Sequence, residues 1–398
     1  MSNSCLLILL LLIYSTLGSV LLIFDKYLDQ EGFSHPFLLN FLMFFAEIFA
    51  LPFFYFLLCR RKKNQNQNLE EDNERSEEGN EPTLTLCQIF IFLVPSFLDT
   101  IATFSINICL IFFPSNFGIM FKGILLIIIT CIISRFCLKN HHTWDHYLAI
   151  LISLIGFIIS GISSISTDNN NDNDNNNIVL GIITLVFSII CQSFQINYEE
   201  HYMRKFRVHP FLCVGIEGIF GFILNLFLCI SFYYIKCGDN EDNIFRDFCT
   251  KDDNDIYRVE NAIYAFEQLN NKTILILVLF VFVILIPYNI FGMSITRYGG
   301  ALTKSLIENF KSFLSWLIFL FPFHSEKLKE DFDVWKLVGL VLILLSIFTY
   351  FGLFKIEEKI MISRKMKALN NMEDISTSGI NSVSRSSLSS DVLDKSEE

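Results

Sequence analysis

Charge is what this sequence has little of. A soluble chain carries roughly a quarter charged residues. Here only 18% of 398 residues are charged and 52% are hydrophobic, with a mean hydropathy of +0.47. The charges crowd into 60–81, 168–174, 236–272 and the tail after Lys355, leaving long stretches nearly bare. Such a distribution excludes an ordinary water-soluble globule. Catalytic fingerprints are lacking as well: there is no GxSxG, HExxH, P-loop or dinucleotide motif. With no catalytic pair at suitable spacing, the chain reads as no enzyme and as needing no cofactor. Its formal charge of −11 sits in loops and tails, which argues against a nucleic-acid partner.

What is present is a series of apolar runs. About 20 apolar residues cross a bilayer core as a helix, because a helix satisfies its own backbone hydrogen bonds. Windows of that size predict an all-α integral membrane protein of about ten spans, at 6–24, 36–58, 86–112, 115–137, 144–165, 178–198, 211–235, 273–295, 301–321 and 334–354. The first run lacks a basic stretch before it. That favours an uncleaved helix over a secretory signal, despite the small residues Ser15, Gly18 and Ser19. Phe occurs 43 times, but AT-rich coding would explain this, and the Asn tract 169–177, as well as packing does.

Basic residues set the orientation. They follow spans two (Arg60, Arg61, Lys62, Lys63), four (Lys139), six (Arg204, Lys205, Arg207) and ten (Lys355, Lys359), while the short alternate loops carry few. The positive-inside rule then places both termini in the cytosol and predicts an even number of spans. The loop 236–272 becomes luminal, where Cys237 and Cys249 could pair as a disulfide. Most other cysteines lie in apolar runs and read as small buried hydrophobes.

A faint duplication divides the chain. His35-Pro36-Phe37-Leu38 opens span two and His209-Pro210-Phe211-Leu212 opens span seven, each followed in its helix by one glutamate, Glu47 or Glu217. Five is odd, so two five-helix halves lie inverted in the membrane, a recurrent transporter plan with the solute site between the halves. The organisation expected is a first repeat at 1–165 with a cytosolic charged loop at 60–85, an Asn-rich luminal linker at 166–177, a second repeat at 178–354, and a disordered, serine-bearing cytosolic tail at 355–398.

Ionisable residues inside spans cost roughly 2.5–3.5 kcal/mol each on insertion scales, so their retention asks for a reason. Glu47, Asp99, Lys122 and Glu217 lie within spans two, three, four and seven. Span nine carries Lys304, Glu308 and Lys311 at i, i+4 and i+7, a spacing that puts them on one face where they can neutralise one another. Two readings follow. The lysines offer charge to an anionic solute while the carboxylates serve as counter-ions or proton carriers, or all are fixed ion pairs holding helices together. Gln192, Gln195 and Asn197 in span six add polar candidates. Pro287 is expected to interrupt span eight just before Tyr288 and Asn289, either lining a cavity or kinking the helix for packing. Metal ligation is weakly signalled: His141, His142 and His146 cluster at a boundary with no cysteine among them. Asn271-Lys272-Thr273 is a glycosylation sequon, but one that abuts span eight.

Several strings together resemble a known group. They are His35-Pro36-Phe37-Leu38 with Glu47; Pro95 with Asp99 and Thr103; Lys122-Gly123; Glu199-Glu200 followed by Val208-His209-Pro210; and the run from Gly215 to Phe222 around Glu217. The duplicated ten-helix plan looks like the drug/metabolite transporter superfamily. The strings are similar to the F branch of solute carrier family 35, relatives of nucleotide-sugar transporters. The likeness covers nearly all of 5–354 and implies alternating-access transport through a central cavity in a Golgi or lysosomal membrane, without naming the solute; the charge pattern is read as suiting a small organic anion, a nucleotide sugar among the candidates. The bilayer and the solute are the partners so implied, with a homodimer allowed. Span nine departs most from the pattern. The alternative from another class is a membrane scaffold or receptor that keeps the fold without transport.

Overall fold

The computed structural model describes residues 3–33, 35–68, 85–112, 115–139, 143–167, 175–235, 249–251, 257–320 and 332–351. Helices α1 (Asn3–Gln30), α2 (Pro36–Ile48), α3 (Ala50–Asn68), α4 (Leu86–Ile91), α5 (Leu93–Phe112), α6 (Ser115–Phe136) and α7 (Trp144–Thr167) are followed by α8 (Asn175–Phe206) and α9 (Pro210–Tyr234). Strands β1 (Thr250–Lys251) and β2 (Tyr257–Arg258) then form a two-residue antiparallel pairing. Last come α10 (Ala262–Gln268), α11 (Lys272–Gly299), α12 (Ala301–Phe319) and α13 (Val334–Tyr350). Among the described residues, six helical stretches are long and apolar enough to cross a membrane. The chain is accordingly a multi-pass membrane protein. Shorter apolar helices occur at Leu125–Phe136, Trp144–Ser160 and Val334–Tyr350.

Local chemistry sets the helix ends. Proline at the first helical position opens both α2 and α9, where its missing N–H removes nothing the helix needs. The side chains of Asn271 and Asp333 accept hydrogen bonds from Thr273 N and Trp335 N at 3.0 and 2.8 Å, capping α11 and α13. The sequon asparagine is thus engaged as a helix cap. Between α11 and α12 the chain turns at Gly300 with φ +93°, a conformation that a side chain would strain.

Three boundaries differ from the sequence reading. Spans two and three are each two helices, α2–α3 and α4–α5, which meet at Phe49 and Phe92. Pro52 and Pro95 explain the breaks: neither has an N–H for the carbonyl four residues earlier. Those carbonyls belong to Ile48 and Ile91, the last residues of α2 and α4. Conversely, α11 runs unbroken through Pro287, so the expected interruption is absent. Finally, α3 and α8 extend past their apolar limits to Asn68 and from Asn175, into part of the charged loop and of the Asn tract.

Packing follows a definite scheme. α1 lies against α11 and α12, α8 against α5 and α6, and α2 against α9; α6 packs on α12 and α7 on α13. The α2–α9 contact is antiparallel and unusually close. Gly215, Gly218 and Gly221 form a ridge on α9 that receives Glu47 and Phe44 of α2 and, just beyond them, Leu51 of α3. A Cβ added at Gly221 would stand 2.1 Å from the Phe44 ring, and one at Gly218 would stand 2.7 Å from Glu47 Cβ. Small residues let the two backbones approach.

Over the first turn of α2 sits the segment that follows β2. Glu260, fully buried, receives His35 Nδ1 at 2.7 Å and Phe37 N at 3.2 Å. Arg258 lies over the Tyr233 ring at 4.1 Å and donates to the Tyr233 carbonyl at 2.7 Å. Cys249 is disulfide-bonded; Cys237, the partner the sequence singles out, lies outside the described residues.

Candidate functional site

The ionisable residues of the spans turn toward one another rather than outward. On α12, Lys311 Nζ lies 2.5 Å from Glu308 Oε2 and donates to the Tyr288 hydroxyl at 2.6 Å. Glu308 Oε1 accepts from the hydroxyls of Tyr14, on α1, and of Tyr288, on α11. Those two rings stack with centroids 4.6 Å apart. The backbone joins in: Ser19 Oγ donates to the Lys311 carbonyl at 2.9 Å, and Gly18 faces the Lys311 stem. Glu308 and Lys311 remain 14% and 18% exposed, so this knot borders open space while being held by three helices.

Lys304 does not share in that pair. Its Nζ lies 3.4 Å from Glu199 Oε2 on α8, which corrects the expectation that the three charges of α12 neutralise one another. The reason is directional. From one turn nearer the helix start, Lys304 faces α8, whereas Glu308 and Lys311 face α1 and α11. Next along α8, Glu200 caps α12 by accepting from Ala301 N at 2.7 Å and is paired with Arg204 at 3.0 Å.

Glu47 and Glu217 come from the abutting helices α2 and α9. Glu47 Oε1 accepts from Asn289 Nδ2 of α11 at 2.8 Å, while its Oε2 is buried without a hydrogen-bond partner. Among the described residues Glu217 Oε1 accepts a weak thiol contact from Cys213 at 3.5 Å, and its carbonyl receives Ser96 Oγ at 3.0 Å. Asp99 on α5 and Lys122 on α6 are half-buried. They act on each other electrostatically, yet neither has an ion-pair or hydrogen-bond partner among the described residues. Gln195 is buried on α8. Beside it, Ser193, Thr130 and Ser305 link α8, α6 and α12 through hydroxyl contacts of 3.2 and 3.1 Å.

All nine residues picked from the sequence therefore lie in the bundle interior, and α2, α5, α6, α8, α9, α11 and α12 each contribute. Tyr14 and the pairing role of Glu199 were missed. A signal for this face was available: Ser15, Gly18 and Ser19 are small residues close to Tyr14, and Gly18 and Ser19 seat α1 against Lys311 of α12. Glu199 stands one residue past the limit of 198 set for span six, where hydropathy gives no sign of a partner on another helix. Of the three boundary histidines, His146 stacks on Tyr350 at 4.4 Å, and His141 and His142 lie outside the described residues.

No family model matches the chain. Curated proteins do. Solute carrier family 35 member F6 of Rattus norvegicus is 24% identical over 328 residues, covering 82% of this chain and 80% of the relative. The Homo sapiens protein of that name is 24% identical over 327 residues, with the same coverage. An uncharacterized Schizosaccharomyces pombe protein is 22% identical over 67% of this chain and 75% of its own length. A crystal structure of another protein superposes with a TM-score of 0.53 over 88% of this chain and 96% of the other, at 12% identity, a likeness of fold alone. Across 82% of its length the chain is thus similar to the F branch of solute carrier family 35.

Proposed function

We propose that the chain is a secondary transporter that moves a small polar or anionic organic solute, nucleotide sugars included, across an endomembrane by alternating access. Its plan in this reading is ten spans in two inverted halves, with both termini cytosolic in a Golgi or lysosomal membrane.

The packing scheme supports the duplication. Pairing the first half, α1 to α7, with the second, α8 to α13, makes the α1–α11 contact the counterpart of α5–α8, and α1–α12 the counterpart of α6–α8. The α2–α9, α6–α12 and α7–α13 contacts map onto themselves. At residue level, aligning the two His-Pro-Phe-Leu motifs turns the Phe44–Gly221 contact into the Glu47–Gly218 contact with the helices exchanged. A two-fold relation requires that reciprocity.

The observation that carries transport is that Asp99 and Lys122 are half-buried inside the bundle and have no ion-pair or hydrogen-bond partner among the described residues. Charges kept only to hold helices together would be paired, because an unpaired one costs several kcal/mol. A solute that enters and leaves needs groups free to meet it. Glu47, Glu217, Gln195 and Asn289 line the same interior, and the Lys304–Glu199 and Lys311–Glu308 pairs are positioned to open as the solute arrives. Relatives named as solute carriers support this assignment.

The test is uptake by proteoliposomes holding the full chain, with a radiolabelled panel of nucleotide sugars, carboxylates and amino acids. Lys122→Gln and Lys311→Gln are each expected to cut uptake of the transported probe by about tenfold or more, the loss of one charge-assisted hydrogen bond. If no probe enters, the fold serves as a non-transporting scaffold instead; uptake undiminished in both variants would remove Lys122 and Lys311 from the solute path.

A further inference from the structure

The interior charges do not balance, and the imbalance narrows the solute class. Two of the three inward lysines are occupied from within the chain, Lys304 by Glu199 at 3.4 Å and Lys311 by Glu308 at 2.5 Å. Lys122 alone among them is left without a partner among the described residues. Against it stand three carboxyl groups with no cationic partner within ion-pair distance among the described residues: Glu47, Asp99 and Glu217. Glu47 is only 8% exposed, and its Oε2 has no hydrogen-bond partner. Such an orphaned atom on a nine-tenths buried side chain asks for a donor that the described residues do not provide.

The two signs also occupy different walls. The carboxyl groups come from α2, α5 and α9, which pack on one another, whereas Lys122 comes from α6, which packs on α8, α7 and α12. α8 touches both walls through α5 and α6. Asp99 and Lys122 are close enough to interact electrostatically and too far apart to touch. The interior thus presents opposite charges from two helices, Asp99 from α5 and Lys122 from α6, that do not neutralise each other by contact.

We propose that the solute is a zwitterion of the amino-acid type, setting its ammonium group against Glu47 and Asp99 and its acidic group against Lys122. A purely anionic solute would meet one free lysine and three acids. A purely cationic one would leave Lys122 unanswered. Each uncompensated meeting of like charges in a low-dielectric interior is unfavourable. Only a solute of both signs satisfies both walls. This rests on the carrier reading for its biological use, but the binding itself is separable from transport.

The experiment is a thermal-shift titration of the purified full chain with matched sets: α-amino acids, their deaminated carboxylates, their decarboxylated amines, and UDP-glucose as a nucleotide sugar. A ligand that binds the folded state raises its melting temperature. At least one amino acid is expected to stabilise the wild type, with its matched carboxylate and amine at least about tenfold weaker. Glu47→Gln, nearly isosteric, should weaken the amino acid while sparing the carboxylate; Asp99→Asn serves the same purpose at the more open position. Lys122→Gln should weaken the amino acid while sparing the amine. Stabilisation by carboxylates alone, by amines alone, by UDP-glucose alone or by none of the sets overturns the proposal. Binding of an amino acid without vesicle uptake would sink the carrier and leave this site standing. Uptake of a plain anion with no amino-acid binding would do the reverse.

Discussion

Lys304 reaches from α12 to Glu199 on α8, closing an ion pair at 3.4 Å in which the glutamate is 1% exposed. The pair spans the two helices near the turn at Gly300, where Glu200 also caps α12. Removing one member of a buried pair strands the other, whereas removing both leaves no charge behind. Lys304→Met is therefore expected to destabilise the chain by about 3 kcal/mol, and Glu199→Gln/Lys304→Met by distinctly less. Thermal unfolding of the single and double variants in detergent measures the coupling. Strict additivity would show that the two side chains do not interact.

The ridge on α9 makes a steric prediction. Gly221→Ala puts a methyl group 2.1 Å from the Phe44 ring, an overpacking that costs about 1–3 kcal/mol. Phe44→Leu in the Gly221→Ala background should recover part of the loss, because a smaller side chain vacates the space. Equal melting temperatures for Gly221→Ala and the wild type would mean that α2 and α9 do not approach as described.

Tyr14 supports a third prediction. Its hydroxyl donates to Glu308 and its ring stacks on Tyr288. Tyr14→Phe keeps the stack and loses the donor to a charged group, a change of about 1.5–3 kcal/mol. Tyr14→Ala loses the ring as well and should be worse by at least about 0.5–1.5 kcal/mol. Denaturant titrations of both variants rank them; Tyr14→Phe matching the wild type would remove the hydroxyl from the argument.

On the opposite side of the bundle, His35 holds Glu260 at 2.7 Å and Gln268 Oε1 at 3.2 Å. His35→Ala leaves a fully buried carboxyl short of a donor. The segment 257–268 should then become cleavable by protease in intact detergent-solubilised chain, with Glu260→Gln milder than Glu260→Ala because the amide still accepts from Phe37 N. Unchanged protection in His35→Ala would show that the contact does not tether this segment.

Much of this was legible in the sequence, and the parts that were not share a cause. The interior positions of Glu47, Asp99, Lys122 and Glu217 followed from charge inside apolar runs, because hydrocarbon leaves such groups nowhere else to go. Pairing was harder to read. Spacing joined Lys304 to Glu308, since residues four apart are neighbours on one helix, but it says nothing of a partner on another helix such as Glu199. The helix breaks at Phe49 and Phe92 were within reach through Pro52 and Pro95. The same rule misjudged Pro287, where α11 continues regardless.

The stitching of α1 to α12 bears on how the protein is made. α12 carries Lys304, Glu308 and Lys311 and is made late in synthesis, and their partners Tyr14, Glu199 and Tyr288 all belong to helices translated earlier. Its insertion is then an act of docking onto a waiting receptor built from the chain's own beginning. A nascent protein whose opening helix has strayed would leave Glu308 without the Tyr14 hydroxyl and the Lys311 stem without the close approach of Gly18.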